Sequence, residues 1–163
     1  MPAWSRDGRW VYFASDRSGD FQIWKTRPDE TGRAVQVTRN VGFGAIESAD
    51  GQFLYYAKNL MSSPIWRVPV QGGDEVPVAP EVRSIRLPQN AAVSGDGIYF
   101  ASSPDPARQF ELRFYSFSTR RTRPVARIEG GLGNGMALSP DGRSLLFCVE
   151  QRTGDLVMVE NFR

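Results

Sequence analysis

Histidine is absent from the sequence, and cysteine occurs once in 163 residues. Without histidine the chain lacks the commonest metal ligand and general base, which excludes every zinc site or catalytic triad that needs one. A single cysteine excludes an internal disulfide and assigns no redox compartment. A Gly-x-Ser-x-Gly nucleophile motif is also missing. We therefore predict no catalytic residue, no metal site and no cofactor in this stretch, and expect that it is not an enzyme.

Net charge and long apolar runs are also scarce. The chain has 20 Lys and Arg against 18 Asp and Glu, a net charge of +2, which is too small to predict nucleic-acid contact. No apolar run approaches the roughly 18 to 20 residues that a membrane-spanning helix needs. The first residues do not resemble a secretory signal. We predict neither a nucleic acid nor a membrane as a partner of this segment.

An Asp-Gly pair recurs through the chain at intervals of 43, 46 and 45 residues. The four pairs are Asp7-Gly8, Asp50-Gly51, Asp96-Gly97 and Asp141-Gly142. A self-similar unit of roughly 40 to 50 residues made of short strands is typical of a β-propeller blade. The pairs are interpreted as turns, in which Gly tolerates a positive φ and Asp bonds nearby backbone. A shared ligand set is disfavoured because each carboxylate belongs to a separate unit.

Predicted strands align around these pairs. An apolar strand follows each pair at residues 11–14, 54–57, 98–101 and 145–148, and a short strand precedes each at 3–5, 46–48, 92–94 and 137–139. Third strands are predicted at 21–26, 65–70, 111–116 and 155–160, and fourth strands at 34–38, 75–79 and 122–128. Consecutive apolar residues in the second strands indicate that both sheet faces are covered, as stacked blades require.

The sequence therefore predicts an all-β propeller of antiparallel, four-stranded blades with almost no helix. The units span approximately residues 1–42, 43–88, 89–132 and 133–163, in a single propeller domain or segment. The fourth unit has no predicted outer strand. We expect this chain to be part of a larger propeller, its exposed edge covered by upstream blades or by self-association.

Several motifs resemble the repeat of TolB-type propellers, also called WD-like PD repeats. They are Pro-Ala-Trp-Ser-Arg-Asp-Gly at 2–8, Ser-Asp-Arg-Ser-Gly at 15–19, Gln-Ile-Trp at 22–24 and, most completely, Leu-Ser-Pro-Asp-Gly-Arg at 138–143. The second unit departs from the pattern, with Glu-Ser-Ala at 47–49 where Trp-Ser-Pro is usual. The resemblance implies the C-terminal portion of a larger bacterial propeller protein.

Function follows only loosely from this resemblance, because one fold hosts many functions. TolB-type propellers are similar to periplasmic interaction proteins, to gating domains of serine peptidases and to sensor modules of bacterial regulators and kinases. We predict a noncatalytic module for protein–protein interaction or ligand sensing, with a protein or peptide partner. The alternative is a substrate-gating propeller segment of a serine peptidase or other hydrolase. The compartment stays open: cytoplasmic with a regulator domain, periplasmic for a TolB-type protein.

Loops that lead into the first strand of each unit are expected at one mouth of the propeller channel. These loops span residues 39–43, 86–91 and 129–135. Their side chains form a predicted rim for a peptide or a small polar ligand. The rim residues are Arg39, Asn40, Gln89, Asn90, Glu129 and Asn134.

Glu47 is the one acid in a predicted channel strand, where the other units carry apolar or aromatic residues. A carboxylate removed from water requires a hydrogen-bonding or charged partner, so Glu47 is a candidate for ligand contact. A water-filled channel without a ligand is the alternative.

Four further features have competing interpretations. The glycine-rich stretch 130–135 resembles a phosphate loop but lacks the following Lys-Ser or Lys-Thr, so we predict a close-packed loop near the channel. Cys148 aligns with three alanines and is expected to be a small buried residue. Trp4, Trp24 and Trp66 recur at repeat positions, which predicts packing between blades. The basic run 120–123 is expected to be a solvated outer hairpin, with contact to an acidic partner or phosphate as the alternative.

Overall fold

The computed structural model describes residues 2–30, 32–85, 89–102 and 110–150, and it contains no helix within them. Three sheets have four strands and the fourth has two. Each sheet is called a blade, numbered in chain order. Blade 1 comprises β1 (Ala3–Trp4), β2 (Val11–Ser18), β3 (Asp20–Thr26) and β4 (Val35–Gln36); blade 2 comprises β5 (Phe43–Glu47), β6 (Phe53–Ala57), β7 (Ser62–Pro69) and β8 (Val76–Ile85); blade 3 comprises β9 (Ala91–Val93), β10 (Gly97–Ala101), β11 (Phe110–Ser116) and β12 (Thr122–Ile128); blade 4 comprises β13 (Gly131–Leu138) and β14 (Leu145–Glu150).

Every blade is an antiparallel meander in which neighbouring strands follow each other along the chain. The first strands of successive blades, β1, β5, β9 and β13, lie next to one another in that order and form the inner wall of the arc. This arrangement confirms the predicted all-β propeller. The strand predicted at 155–160 lies outside the described residues.

The core lies between successive blades, and β6 shows why. Side chains alternate between the two faces of a strand. Leu54 and Tyr56 join the apolar cluster shared with blade 1, while Tyr55 and Ala57 join the cluster shared with blade 3. All four are at most 4% exposed, and burying a large apolar side chain contributes about 1.5 to 3 kcal/mol. The run of consecutive apolar residues is therefore explained by burial on both faces.

A serine precedes the Asp-Gly pair by two residues and organises the turn. In blade 1 the Ser5 hydroxyl donates to Asp7 Oδ1 at 2.6 Å and accepts the Trp10 backbone N–H at 2.8 Å, while Asp7 Oδ1 accepts the Arg9 N–H at 3.0 Å. Gly8 has the positive φ of 69° that this turn requires. The same hydrogen bonds recur in blades 2 and 4 around Asp50 and Asp141.

Blade 3 departs from this turn because it lacks two residues. The Ser94 backbone N–H donates to the Gly97 carbonyl and the Gly97 N–H donates to Ser94 Oγ, so Gly97 closes the turn and begins β10. A positive φ was expected at Gly97 but is not found. Glycine is needed for another reason: a Cβ there would lie 2.1 Å from the Tyr115 carbonyl oxygen.

Three expectations about packing are wrong. Cys148 is exposed, not buried, because it alternates with Phe147, which packs toward blade 3. Trp4 is 62% exposed, since no described residue covers its face of blade 1. The glycine-rich stretch is mostly strand β13 rather than a loop, although its close packing is real: a Cβ on Gly133 would lie 2.6 Å from Cys148 Sγ.

Candidate binding site

A cavity of about 890 Å³ lies on the concave side of the four inner strands. We call it the central cavity. Its wall is apolar along the strands and polar at its ends. Its apolar lining includes Ala3, Ile46, Ala91, Ala92, Val93, Met136, Ala137 and Leu138, and its polar lining includes Arg6, Gln89, Ser94, Asp96, Asn134, Ser139 and Asp141. Its volume is that of a ligand site, and its lining is about equally apolar and polar, with more polar groups than a typical small-molecule pocket.

The structure brings two of the rim candidates together at this cavity. Gln89 precedes β9 and Asn134 lies in β13, and both line the central cavity. The register of β13 against β14 shifts between Leu132 and Met136. This bulge sets Asn134 and Gly135 off the regular ladder, beside the cavity.

Asn90 lies behind this surface and is only 1% exposed. Its side-chain amide is oriented so that the oxygen and the nitrogen both have suitable hydrogen-bond partners. In this orientation the nitrogen donates to the Gly133 carbonyl at 3.0 Å and to the Gln89 carbonyl at 3.1 Å. The backbone carbonyl of Asn90 accepts a hydrogen bond from the Ala101 backbone N–H at 3.0 Å. Asn90 thus joins blade 3 to the bulge of blade 4 and positions the residues that face the cavity.

Arg39 and Asn40 are not among the residues that line the central cavity. Their backbone N–H groups donate to Glu75 Oε1 at 2.5 and 3.2 Å. Lys58 Nζ lies 2.9 Å from the other Glu75 oxygen. Burial raises the pKa of Glu75, but the Arg39 amide and Lys58 outweigh it and hold that pKa below its ordinary value. These contacts fix the crossover from blade 1 to blade 2.

Glu47 also lies between blades 1 and 2, where it is half-buried. Its Oε1 accepts a hydrogen bond from the Tyr12 hydroxyl at 3.0 Å, and its Oε2 accepts the Arg6 backbone N–H. The Arg6 guanidinium continues across the arc, donating to the Ser48 carbonyl at 2.9 Å and to the Val93 carbonyl at 3.5 Å. Burial, followed by the Glu47 carboxylate, raises the pKa of Tyr12. Glu47 is thus paired within the protein.

Sequence reasoning missed Lys25, which is 3% exposed at the same interface. Its Nζ donates to the Val70 carbonyl at 2.7 Å and to Gln71 Oε1 at 3.0 Å, and lies 4.6 Å from the centre of the Trp10 ring. Burial lowers the pKa of Lys25 and the Glu47 charge partly offsets this. The available signal was a lysine beside apolar residues in the middle of a predicted strand.

Within residues 2–30, 32–85, 89–102 and 110–150, no group of three or more Cys, Asp or Glu side chains is arranged to hold a metal ion. None of the described segments is a helix long and apolar enough to cross a membrane.

No model of a known protein family matches the chain. An uncharacterized protein of Agrobacterium fabrum is 44% identical over 43 residues, which cover 26% of this chain and 14% of that protein. This chain therefore spans only a small part of that relative.

Solved structures match the fold at low sequence identity. TolB from Acinetobacter baumannii superposes with a TM-score of 0.71 at 16% identity, over 92% of this chain and 37% of TolB. A chain in a structure of the nidogen/laminin complex superposes with a TM-score of 0.69 at 12% identity, over 90% of this chain and 54% of that one. A puromycin-hydrolyzing peptidase of Mycobacterium tuberculosis superposes with a TM-score of 0.58 at 14% identity, over 78% of this chain and 20% of the peptidase. The chain has the fold of a TolB-like β-propeller, and propellers of this shape occur in proteins with and without catalysis.

Proposed function

We propose that this chain is a noncatalytic TolB-like propeller module that binds a protein or peptide in the central cavity. The observation that carries the proposal is the cavity itself, which all four inner strands line at a volume of about 890 Å³. A well-formed concave site with convergent polar groups beside apolar wall residues is the first candidate for binding. The absence of histidine from the sequence supports binding rather than acid–base chemistry.

A peptide suits the cavity because of the strands that line it. β9 and β13 are terminal strands of their sheets, so one edge of each lacks a partner in its own ladder. Such edges offer backbone N–H and C=O groups to an added extended segment. Gln89 and Asn134 lie at the same cavity and add side-chain amides that both donate and accept hydrogen bonds. Similarity to a propeller in the nidogen/laminin complex also supports a protein partner.

Further blades are the second class of partner in this proposal. Trp4 on blade 1 is 62% exposed and Leu146 on blade 4 is 75% exposed, at the two ends of the described arc. Apolar exposure on a sheet face favours contact with another sheet. The chain spans 37% of the TolB structure, which supports blades elsewhere in a longer protein as the cover. If the isolated chain is instead its own partner, light scattering will show a dimer that Trp4→Ser weakens.

A gating segment of a hydrolase is a second candidate function, favoured by the similarity to a puromycin-hydrolyzing peptidase. In that case the central cavity would admit substrate to a catalytic domain elsewhere. Extending the reading frame upstream separates the two proposals. A hydrolase domain there would support gating, whereas further repeats behind a DNA-binding or kinase domain would support sensing.

Peptide panning tests the main proposal without a known partner. A displayed library of random peptides is selected on the immobilised chain and counter-selected on Ala137→Trp, a substitution of an exposed wall residue that fills the central cavity. Val125→Trp is the matched control, because Val125 is 42% exposed on outer strand β12, away from the cavity. The proposal expects peptides that bind wild type and Val125→Trp but not Ala137→Trp. Peptides that bind all three alike, or no enrichment, would overturn it.

A further inference from the structure

The interfaces between successive blades are built from equivalent residues. In blade 1, Tyr12 pairs across the strands with Lys25, and in blade 2 Tyr55 pairs in the same way with Arg67. Each tyrosine lies five residues after its Asp-Gly aspartate, and each cation lies over an aromatic ring. Lys25 Nζ is 4.6 Å from the Trp10 ring centre, and Arg67 Cζ is 4.6 Å from that of Phe53. A tyrosine, a cation and an aromatic ring therefore face the next blade at both interfaces.

At the first interface the polar groups of this trio are hydrogen-bonded within the protein. Blade 2 supplies Glu47, whose carboxylate accepts the Tyr12 hydroxyl hydrogen bond at 3.0 Å. The Val70 carbonyl and the Gln71 side chain accept from Lys25. Lys25 is consequently 3% exposed. Glu47 therefore already provides the carboxylate at Tyr12.

At the second interface the internal carboxylate is missing. Glu47 directly precedes Ser48 of its turn, and the residue that directly precedes Ser94 in blade 3 is Val93, which has no side-chain acceptor. Arg67 is exposed, unlike Lys25. A groove of about 500 Å³ lies here instead, and we call it the blade 2/3 groove. Its lining includes Asp50, Tyr55, Arg67, Val78, Phe117 and Arg120.

The lining combines positive charge with an apolar floor. Among the described residues that line the groove, Arg67 and Arg120 are the cations and Asp50 is the one acid. Oδ1 of Asp50 is occupied by the Ser48 hydroxyl at 2.5 Å and by the Gln52 N–H at 3.0 Å. The rings of Tyr55 and Phe117 stack with centroids 5.7 Å apart. Two guanidinium groups against one engaged carboxylate give the described lining of the groove an excess of positive charge.

We propose that the blade 2/3 groove binds an acidic peptide segment, whose carboxylate takes at Tyr55 the place that Glu47 takes at Tyr12 and pairs there with Arg67. Guanidinium groups pair with carboxylates through two parallel hydrogen bonds, which suits Arg67 at an open site. An apolar residue next to the acid packs on Val78 and Phe117. Arg120 brings a second positive charge from the turn after β11. This groove adjoins the central cavity, with which it shares Ala49, Ser94 and Gly95, but Tyr55, Arg67 and Arg120 line the groove and not the cavity.

A charge-matched peptide pair tests the groove. The probes are a fluorescein-labelled peptide with two glutamates flanked by phenylalanine and leucine, and its twin with glutamines. Binding is measured by fluorescence polarisation for wild type, Arg67→Gln and the control Arg143→Gln, which removes an equal charge from an exposed arginine of blade 4. The acidic peptide is expected to bind wild type and Arg143→Gln, and about tenfold more weakly to Arg67→Gln, as for loss of a charged hydrogen bond.

A second variant installs the missing carboxylate. Val93→Glu copies blade 2 and should block the acidic peptide. Because Val93 is buried and also borders the central cavity, urea denaturation checks that the variant is folded, and Val93→Gln, which carries no charge, should block the acidic peptide less. Ala137→Trp, which fills the central cavity, should leave this binding unchanged, so the two proposed sites fail or succeed separately. Equal binding of the acidic and glutamine peptides, an equal effect of Arg67→Gln and Arg143→Gln, or no binding of the acidic peptide to wild type would overturn the proposal.

Discussion

The hydroxyl of Tyr12 in blade 1 donates to Oε1 of Glu47 in blade 2 at 3.0 Å. The second carboxylate oxygen accepts the Arg6 backbone N–H, so one side chain receives two hydrogen bonds from the neighbouring blade. Arg6 in turn reaches the carbonyls of Ser48 and Val93. Three blades are therefore joined through one turn of blade 1, on the side of the arc that borders the central cavity.

Replacing Glu47 tests this joint. Glu47→Gln keeps the shape but presents an NH₂ group to one of two donors, so one hydrogen bond is lost. We expect the free energy of unfolding to fall by about 1.5 to 3 kcal/mol, the range for hydrogen bonds to a charged group. Urea denaturation followed by tryptophan fluorescence measures it. Glu129→Gln, at an exposed glutamate directly after β12, is the comparison, and an equal or smaller effect of Glu47→Gln would contradict the assigned role.

Gly97 is expected to be intolerant of any side chain. A Cβ would lie 2.1 Å from the Tyr115 carbonyl oxygen and 2.5 Å from the Phe114 ring, so backbone must move. Gly97→Ala should cost about 3 kcal/mol of unfolding free energy, at the upper end for overpacking.

Gly95→Ala is the matched control in the same turn. A Cβ at Gly95 meets nothing within 4 Å and its φ is not positive, so a change of less than about 1 kcal/mol is expected. Equal melting temperatures for the two variants would show that β10 and β11 do not approach as closely as described.

Acid stability depends on the aspartates of the turns. The Ser48 hydroxyl, followed by the Gln52 backbone N–H, holds the pKa of Asp50 below its ordinary value of 3.8. A carboxyl with a lowered pKa stabilises the folded chain above pH 3.8, and this contribution is lost as the pH falls through the lowered pKa. Asp50→Asn should therefore reduce stability at neutral pH and flatten the loss of stability in acid.

Denaturation in urea at a series of pH values below 5 measures that slope. Asp29→Asn, at an exposed acid in the turn after β3, is the comparison. If the stability of Asp50→Asn falls with decreasing pH as steeply as that of wild type, the Asp50 carboxylate does not contribute to acid stability.

Local features of each repeat could be predicted from the sequence, whereas contacts between blades could not. The turn around Asp50 and the strand 53–57 depend on residues within a few positions of each other, so their spacing predicts them. The partner of Glu47 lies 35 residues away in another blade, and no periodicity indicates which side chain it meets. Asn90 was placed on the rim because its loop leads into an inner strand, but its side chain points back into the interface with blade 4.

The exposed Cys148 shows a second limit. Its column in the repeat holds alanine in the other three units, which predicts a buried position. Burial in a propeller depends on the next blade along the arc as well as on the repeat, and no described residue covers that face of β14. Repeat position therefore predicts which face a residue occupies but not whether that face is covered.

Hydrogen exchange measured by mass spectrometry tests the central claim most directly. A peptide selected on the chain is added at saturation, and amide exchange is compared with and without it. Binding in the central cavity predicts slower exchange in residues 89–94 and 131–138, which contribute to its wall, with no change in outer strand β12. Protection confined to β12, or exchange unchanged throughout the inner strands, would contradict the account.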